Sequence, residues 1–300
     1  MMLKCESMLT NSNMNSNEAN SQILAATPQS RRPSNFWLII VAALFIIVPF
    51  LAWYTTWFGR ALSDEDVAKY LADEKNPRHV QHALAQLETR IENGDPGAKK
   101  FYPQVLALTN SPTAEIRKTA AWVMGQDNTS EEFHGALLSL LHDTEPLVRR
   151  NAALQLVRFG DASGRSDLRA MLVPFEAKSP LTGTIVSLLP VGSKLSAGGL
   201  LARIRESSGA VQEFRSPVDG TIAALSAKES DVISSGQTVA SIKPYRGTTI
   251  DALRALAYVG TSDDLALIEA SKQADGAQEV VQQASATETA IKTRAKSAAR

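Results

Sequence analysis

Cysteine is almost absent from this sequence, since Cys5 is the only one among 300 residues. A single cysteine cannot form an intrachain disulfide. It lies in a polar N-terminal stretch, where it either has no role or carries a lipid.

An excess of charge of either sign is also absent. The chain has 31 basic and 31 acidic residues, for a formal net charge of zero. A basic surplus is the electrostatic footprint of a nucleic-acid-binding protein, so no nucleic-acid partner is expected. The hydrophobic content of 44% is ordinary for a globular protein, and the length allows about two domains.

Sequence signatures of catalysis are lacking as well. We find no nucleophile–base pair, phosphate-binding loop, paired-carboxylate motif or metal motif, although an active site assembled from residues distant in sequence stays open. His79 and His82 are spaced to face one metal ion on a helix, but no pattern supplies further ligands. We interpret them, with His134 and His142, as surface histidines. The sequence thus predicts a non-enzyme with no catalytic, cofactor-binding or metal-binding residues and no cofactor.

The N-terminal 35 residues are rich in Asn, Ser, Met and Gln. Such a composition cannot bury enough apolar surface to fold. Residues 1–35 are therefore predicted to be a disordered cytoplasmic tail.

An uncharged run of 23 residues follows, from Phe36 to Phe58. About 20 apolar residues span a bilayer, so residues 36–58 are predicted to be a single transmembrane helix. Arg31 and Arg32 precede the run and Arg60 follows it, which favours a cytoplasmic N-terminus. The bulk of the chain would then be extracytoplasmic, on the periplasmic side of a bacterial inner membrane. The alternatives are a cleaved signal peptide and a buried core helix.

Two stretches of the chain match each other at a spacing of 32 residues. Residues 116–121 (IRKTAA) align with residues 148–153 (VRRNAA), and Phe101 aligns with Phe133. A further copy at residues 250–260 is displaced so that Gly260 lies 100 residues after Gly160. Fixed-period similarity is typical of a solenoid, and the displacement indicates an insertion of about 68 residues.

Residues 62–172 therefore predict paired helices, and residues 247–297 predict that the helices resume. Helices are expected at Asp64–Asp73, Arg78–Ile91, Lys99–Leu108, Thr113–Gln126, Ser130–Leu141, Pro146–Phe159, Asp161–Leu172, Thr249–Val259, Asp263–Lys272 and Gly276–Ser297. The two aligned motifs resemble the HEAT-repeat family, which implies a scaffold with an extended binding surface. The basic pairs Arg117-Lys118 and Arg149-Arg150 either form inter-repeat ion pairs and solvated positions, or contact an acidic partner or lipid headgroups.

Residues 176–245 change to short β-rich runs separated by Gly, Ser and Pro. Residues 179–185 (SPLTGTI) match residues 216–222 (SPVDGTI) at an offset of 37. Two halves of four short strands each predict a pseudo-symmetric barrel or sandwich. Four glycines are expected at tight turns with positive φ or at close backbone approaches: Gly183, Gly198, Gly220 and Gly236.

The repeated Ser-Pro-x-x-Gly-Thr-Ile motif resembles the biotinyl/lipoyl domain family, and more closely the barrel-sandwich hybrid domain of periplasmic membrane fusion proteins. The resemblance implies a prosthetic-group lysine in the hairpin between the halves. That hairpin, Arg205–Ala210, has no lysine, and Gly209 occupies the expected position. Lys194 and Lys228 lie elsewhere, so covalent biotin or lipoate is not expected. The helical hairpin and adjoining barrels of standard efflux adaptors are absent too.

The sequence thus predicts a multidomain α and β protein: a transmembrane helix and a HEAT-like solenoid interrupted by an all-β barrel-sandwich domain. The predicted function is a membrane-anchored extracytoplasmic scaffold or adaptor for protein–protein interaction, such as an accessory subunit of a transport, efflux or envelope complex. Its predicted partners are other membrane or envelope proteins, and the bilayer through residues 36–58. The alternative is a carrier-type subunit of an acyl- or carboxyl-transfer system.

Overall fold

The computed structural model of the protein describes residues 36–53 and 61–298. The chain divides into two units, residues 1–60 and residues 61–300. The predicted disordered tail, residues 1–35, lies outside the described residues.

The first unit contains helix α1, Phe36–Trp53, which has 18 residues with Pro49 among them. Its large apolar side chains are exposed, for example Trp37 and Phe45. At 1.5 Å per residue the helix is about 27 Å long, shorter than the roughly 30 Å hydrocarbon core of a bilayer. Among the residues that the structure describes, no helix is both long and apolar enough to cross a membrane.

The prediction of a single transmembrane helix over residues 36–58 is therefore wrong. The predicted single-pass topology and the periplasmic placement of the main part of the chain depended on this helix and are wrong as well. The uncharged run has 23 residues, of which the described helix covers 18. Residues 54–58 of the predicted span lie outside the described residues.

The second unit begins with helices arranged in consecutive pairs. They are α2 Asp64–Leu71, α3 Pro77–Glu92, α4 Tyr102–Ala107, α5 Ala114–Met124, α6 Glu131–Leu140, α7 Pro146–Leu156 and α8 Arg165–Ala170. Short 3-10 turns flank some of them at Pro96–Phe101, Leu108–Asn110 and Val157–Phe159. After the β-strands come α9 Arg246–Val259, the 3-10 turn Ser262–Asp264, α10 Leu265–Asp275 and α11 Gln278–Ala298.

Several of the predicted helices are shorter than expected, and two of them differ most. The helix predicted near Lys99–Leu108 is α-helical only over Tyr102–Ala107, with a 3-10 turn on each side. The helix predicted at Asp161–Leu172 reaches only from Arg165 to Ala170. The Asp161 carboxylate accepts the Ser163 N–H at 2.7 Å in a turn before it, and Gly160, with φ 73°, ends the preceding 3-10 turn. Glycine is the residue that enters this left-handed region without strain.

The helix pairs stack through a continuous apolar core. Its fully buried members include Leu84, Ile116, Met124, Phe133 and Leu137. Ala120 and Ala152 occupy equivalent positions of α5 and α7, and both are completely buried. Because alanine is small, these two helices can pack closely, and a 32-residue sequence period becomes a stack of similar helix pairs.

The β region, residues 175–243, follows α8 and consists of eight short strands. They are β1 Phe175–Lys178, β2 Gly183–Leu188, β3 Lys194–Leu195, β4 Leu200–Arg205, β5 Val211–Arg215, β6 Gly220–Leu225, β7 Val232–Ile233 and β8 Thr238–Lys243. They form two four-stranded sheets with the orders β1-β8-β6-β3 and β5-β4-β2-β7. Each sheet thus takes two strands from each sequence half.

The two halves pair with the same register. Ile185 of β2 is opposite Ile204 of β4, and Ile222 of β6 is opposite Ile242 of β8. Both antiparallel pairs have an irregularity just after the first isoleucine. The four side chains are almost completely buried in a core separate from that of the helices. The internal sequence repeat is therefore a repeat of strand pairing.

The four predicted glycines have the two expected roles. Gly198 and Gly236 adopt φ 74° and 83° in tight turns. A Cβ atom at Gly183 or Gly220 would lie only 2.4 Å from a carbonyl oxygen of the neighbouring strand. The prediction for these positions is confirmed.

The helical array closes again after the β region. A third apolar cluster joins Leu168 of α8 to Leu253 and Leu256 of α9. Asp264 is completely buried, and its carboxylate lies 3.5 Å from Nε of Arg169. These contacts connect residues on either side of the strands, so the array continues across the insertion.

Candidate functional site

The first arginine of each basic pair connects successive helical repeats. Nε and Nη2 of Arg117 donate to the Asp143 carboxylate at 2.6 and 2.8 Å, and Nη1 donates to the Ser111 carbonyl at 2.9 Å. One repeat later, Arg149 donates to the Asp143 carbonyl at 2.7 Å and to the Asp167 carboxylate at 3.3 Å. The ion-pair interpretation is confirmed for these two arginines.

The second member of each pair behaves differently. Lys118 makes an ion pair with Glu115 of its own helix, at 2.7 Å. Arg150, at the equivalent position one repeat later, is only 6% exposed. Its guanidinium carbon lies 5.8 Å from the centre of the Phe175 ring, a cation–π contact with the first strand.

Within the described residues, the Arg150 guanidinium has neither a hydrogen bond nor a carboxylate oxygen within 4.0 Å. Burial lowers the pKa of Arg150 below its ordinary value, and the nearby carboxylates of Asp167 and Asp219 oppose that shift. An arginine has five N–H donors and normally finds a bidentate acceptor when buried. Arg150 is therefore a buried cation whose donors are free to bind.

The junction groove is the space between helices α5, α7 and α9 and the β region. Its inner cavity has a volume of about 230 Å³ and is lined by Lys118, Trp122, Leu147, Arg150, Asn151, Leu154, Met171, Asp219, Thr248 and Asp251. A second cavity of about 500 Å³ adjoins it and shares Lys118 and Leu147. This outer cavity reaches the Ser216-Pro217 loop between β5 and β6.

The carboxylates of the inner cavity have other interactions. Asp219 accepts a hydrogen bond from the backbone N–H of Ala197 at 2.9 Å. Asp251 lies 3.7 Å from Arg254 on the same helix. The groove thus combines an unpaired guanidinium, two carboxylates and an apolar wall in which Trp122 is 41% exposed. It can bind a ligand that has both an anionic group and an apolar group.

The hairpin tip, Arg205–Ala210, joins β4 to β5 and is a second surface feature. The backbone N–H of Glu206 donates to Ala210, and Gly209, with φ 88°, donates back to Glu206. This pattern matches a three-residue turn with a left-handed glycine, which is a common and well-ordered hairpin connection. Residues 207–211 are all exposed, including Val211 at 46%.

The lysines of the β region lie away from this tip. Lys194 is an exposed residue at the start of β3, and Lys228 is exposed in the loop before β7. The hairpin tip therefore presents hydroxyls, a carboxylate and a guanidinium, but no amine that could carry a prosthetic group.

The histidines are engaged with neighbouring side chains. Nδ1 of His79 lies 2.8 Å from the Asp73 carboxylate, and its ring stacks on Tyr70 with centroids 4.3 Å apart. Nε2 of His134 lies 2.7 Å from Asp161. His82 contacts Gln86 at 3.0 Å, in the same pair of helices as His79. Within the described part of the chain, no three His, Cys, Asp or Glu residues are grouped closely enough to hold a metal ion.

Sequence reasoning treated both basic residues of each pair alike and so missed the burial of Arg150. A faint signal existed, because Asp219 stands where the other half of the internal repeat has Thr182. That substitution places a carboxylate on the face of the β region that meets α7. Nothing in the helical repeats alone distinguishes Arg150 from Lys118.

Part of the helical array of the second unit is similar to HEAT repeats. The family of HEAT repeats matches residues 102–174, which covers α4 to α8, and a β-sheet domain follows it. Neither a biotinyl/lipoyl nor a membrane fusion protein family is shown for the β region. No curated protein matches this chain.

Proposed function

We propose that this chain is a scaffold or adaptor for protein–protein interaction and has no catalytic activity of its own. The observation that carries the proposal is an exposed hairpin tip on a β region whose two ends are both attached to a HEAT-type array. β1 and β8, the first and last strands, are paired with each other, and Phe175 of β1 packs on Arg150 of α7. Such an attachment supports rigid presentation of the tip rather than a swinging arm.

We also propose that the β region is of the biotinyl/lipoyl-like barrel-sandwich type. Two equivalent halves, each supplying two strands to both sheets, support this assignment. The matching Ser-Pro motifs support it further, because Ser179 and Ser216 both accept from and donate to their own turns. Loss of the lysine would leave such a domain with a recognition role.

A carrier-type subunit is the second candidate, favoured only by the arrangement of the strands. A carrier needs a nucleophilic amine at the exposed tip, and residues 205–210 contain none. Intact-mass measurement of protein from a host replete in biotin and lipoate tests this candidate. Unmodified mass rejects it, and an added prosthetic group on any lysine of the β region restores it.

Site-specific crosslinking tests the scaffold proposal. We would replace Cys5 with serine, introduce Ser208→Cys at the hairpin tip, and attach a photoreactive maleimide to the new thiol. Because residue 208 is exposed, the label should reach a bound partner without disturbing the strands. We expect a discrete covalent adduct with a partner protein in cells.

The matched control carries Ser139→Cys in the same cysteine-free background. Ser139 is also exposed, but lies on α6, away from the β region. Equal adducts from both positions would contradict a contact at the hairpin tip. Recovery of monomer alone from either position and from a general amine crosslinker would contradict the scaffold function itself.

A further inference from the structure

The guanidinium of Arg150 is nearly buried and has no hydrogen-bond acceptor among the described residues, and this arrangement requires an explanation. Moving a charge out of water costs several kcal/mol by order of magnitude, and at Arg150 the carboxylates of Asp167 and Asp219 oppose that cost only from a distance. The structure places this cation at the wall of the inner cavity of the junction groove, with only 6% of the residue exposed. Its face is covered by Phe175, but its N–H donors have no acceptor among the described residues.

No carboxylate of the groove completes the pair. Asp167 is bound by Arg149 at 3.3 Å, and Asp219 accepts the Ala197 N–H at 2.9 Å. Asp251 pairs with Arg254 at 3.7 Å. The described residues thus supply no hydrogen-bond acceptor to Arg150, and its N–H donors at the cavity wall are available to a bound acceptor.

The charges of the wall indicate which acceptor fits. The wall of the inner cavity carries two cations, Lys118 and Arg150, and two carboxylates, Asp219 and Asp251. Its charges balance, so a doubly charged phosphate would meet two like charges without a surplus of cations to offset them. A carboxylate carries one negative charge, and its two oxygens match the planar fork of a guanidinium. The site therefore favours a single carboxylate.

The shape indicates what carries the carboxylate. The inner cavity, of about 230 Å³, is below the size of a usual small-molecule pocket. It adjoins the outer cavity of about 500 Å³, which extends along α5, α7 and the Ser216-Pro217 loop. Two consecutive cavities with apolar walls suit successive side chains of an extended peptide.

We propose that the junction groove binds an extended segment of a partner protein, with one Asp or Glu carboxylate paired to Arg150. An apolar side chain beside it lies against Trp122 and Leu154. This inference rests on the scaffold function, and gives it a second contact, distinct from the hairpin tip.

Selection of binding peptides on the full-length protein tests the proposal. A displayed library of random dodecapeptides would be selected against the wild type, Arg150→Met, Arg150→Lys and Arg158→Met. Arg158 is an exposed arginine of the 3-10 turn after α7 and serves as the matched control. Affinities would then be measured by fluorescence anisotropy for a selected peptide and for its version with the acidic residue amidated.

We expect the wild type and Arg158→Met to enrich a carboxylate next to an apolar residue. Arg150→Met and amidation of the peptide should each weaken binding by about 10- to 100-fold, since a hydrogen-bonded charge pair is lost. Arg150→Lys should bind with intermediate affinity, because lysine keeps the positive charge but lacks the paired N–H donors of the planar guanidinium. Thermal unfolding of each variant shows that the fold is retained.

Two results would overturn the inference: no enrichment of acidic residues by the wild type, or binding by Arg150→Met within twofold of the wild type. Should Arg150→Met fail to fold, the comparison of Arg150→Lys with the amidated peptide decides in the same way. Crosslinking at Ser208 is independent of Arg150. A partner adduct at Ser208, together with a failed peptide selection, would refute peptide binding in the junction groove and would still support the scaffold function.

Discussion

At the scale of single residues, the β region depends on glycines that allow two strands to approach. A Cβ at Gly220 would lie 2.4 Å from the Lys243 carbonyl oxygen and 2.6 Å from Cγ2 of Ile242. Both neighbours are held by strand pairing, so neither can move cheaply. The equivalent Gly183 has the same surroundings in the other half.

Gly220→Ala should therefore destabilise the protein by about 1–3 kcal/mol, as expected for overpacking. Urea denaturation of the full chain would measure the change. Gly135→Ala is the matched control, for which the free energy of unfolding should change in the opposite direction. Gly135 is an exposed residue of α6, and a Cβ atom added there would meet open space. Alanine there should stabilise by about 0.5–1 kcal/mol. Equal effects at the two positions would refute the close-approach argument.

The Arg117–Asp143 pair gives the stability of the helical array a dependence on pH. Burial by itself raises the pKa of Asp143. The hydrogen bonds from Arg117 and from the Glu145 backbone, together with the charges of Arg117 and Arg149, outweigh burial and hold the pKa below its ordinary value of 3.8. A carboxyl with a depressed pKa contributes fully above its unfolded-state pKa. That contribution is lost as the pH falls through the lower, folded-state pKa.

Asp143→Asn should cost about 3 kcal/mol at pH 7, since it breaks a largely buried pair. The difference from the wild type should shrink as the pH is lowered through and below 3.8, and urea titrations at each pH would follow it. Glu269→Gln, which breaks the exposed pair with Lys272, should cause a smaller loss. A difference from the wild type that stays constant with pH would contradict the assigned shift.

At the scale of secondary-structure elements, one buried carboxylate connects the two parts of the interrupted array. Asp264 accepts the backbone N–H of Thr261 at 2.8 Å in a capping box. The same carboxylate lies 3.5 Å from Arg169 and 4.0 Å from Arg165, which precede the β region in sequence. The same carboxylate therefore caps the 3-10 turn before α10 and also forms an ion pair with α8.

Asp264→Asn should destabilise the protein by about 3 kcal/mol, because the buried charge interaction with Arg169 and Arg165 is lost. Hydrogen exchange should increase first in α10 and in the turn that precedes it. The neighbouring Asp263 is exposed, and Asp263→Asn should leave both measurements almost unchanged. Exchange that rises uniformly over the whole chain would argue against a local closing role.

At the scale of the whole molecule, the two ends of the β region lie next to each other where they join the helical array. Phe175 of the first strand is paired with Ile242 of the last. Antiparallel partners have Cα atoms only about 5 Å apart. An insertion with such closely spaced ends can be accommodated without separating α8 from α9.

Replacement of residues 174–244 with a flexible linker of about four residues should therefore leave a folded helical array. The deletion variant should keep its helical circular dichroism and unfold cooperatively in urea. A less drastic control, a chain cut by protease within the hairpin tip, should keep both properties as well. A deletion variant without cooperative unfolding would mean that the array needs the β region to fold.

The sequence predicted the repeats better than the boundaries of their helices. Ile116 and Val148 align because each packs into the core at the same place in its repeat, and packing of this kind leaves a period in the sequence. The helix predicted at Asp161–Leu172 begins only at Arg165, after a turn in which Asp161 accepts the Ser163 N–H, and a pattern of apolar residues does not record such a turn. The membrane prediction relied on the uncharged run alone, and no helix among the described residues is both long and apolar enough to cross a membrane.

The sequence alone determined the helical repeat, the internal repeat of the β region, the insertion of the β region into the helical array and the lack of lysine in the hairpin tip. Each follows from residue identity at a fixed spacing, which local periodicity records. Only the tertiary structure decided that Arg149 is paired while its neighbour Arg150 is buried and unpaired. That difference arises where α7 meets Phe175 and Asp219, which are distant in sequence, so no local pattern on the helix could reveal it.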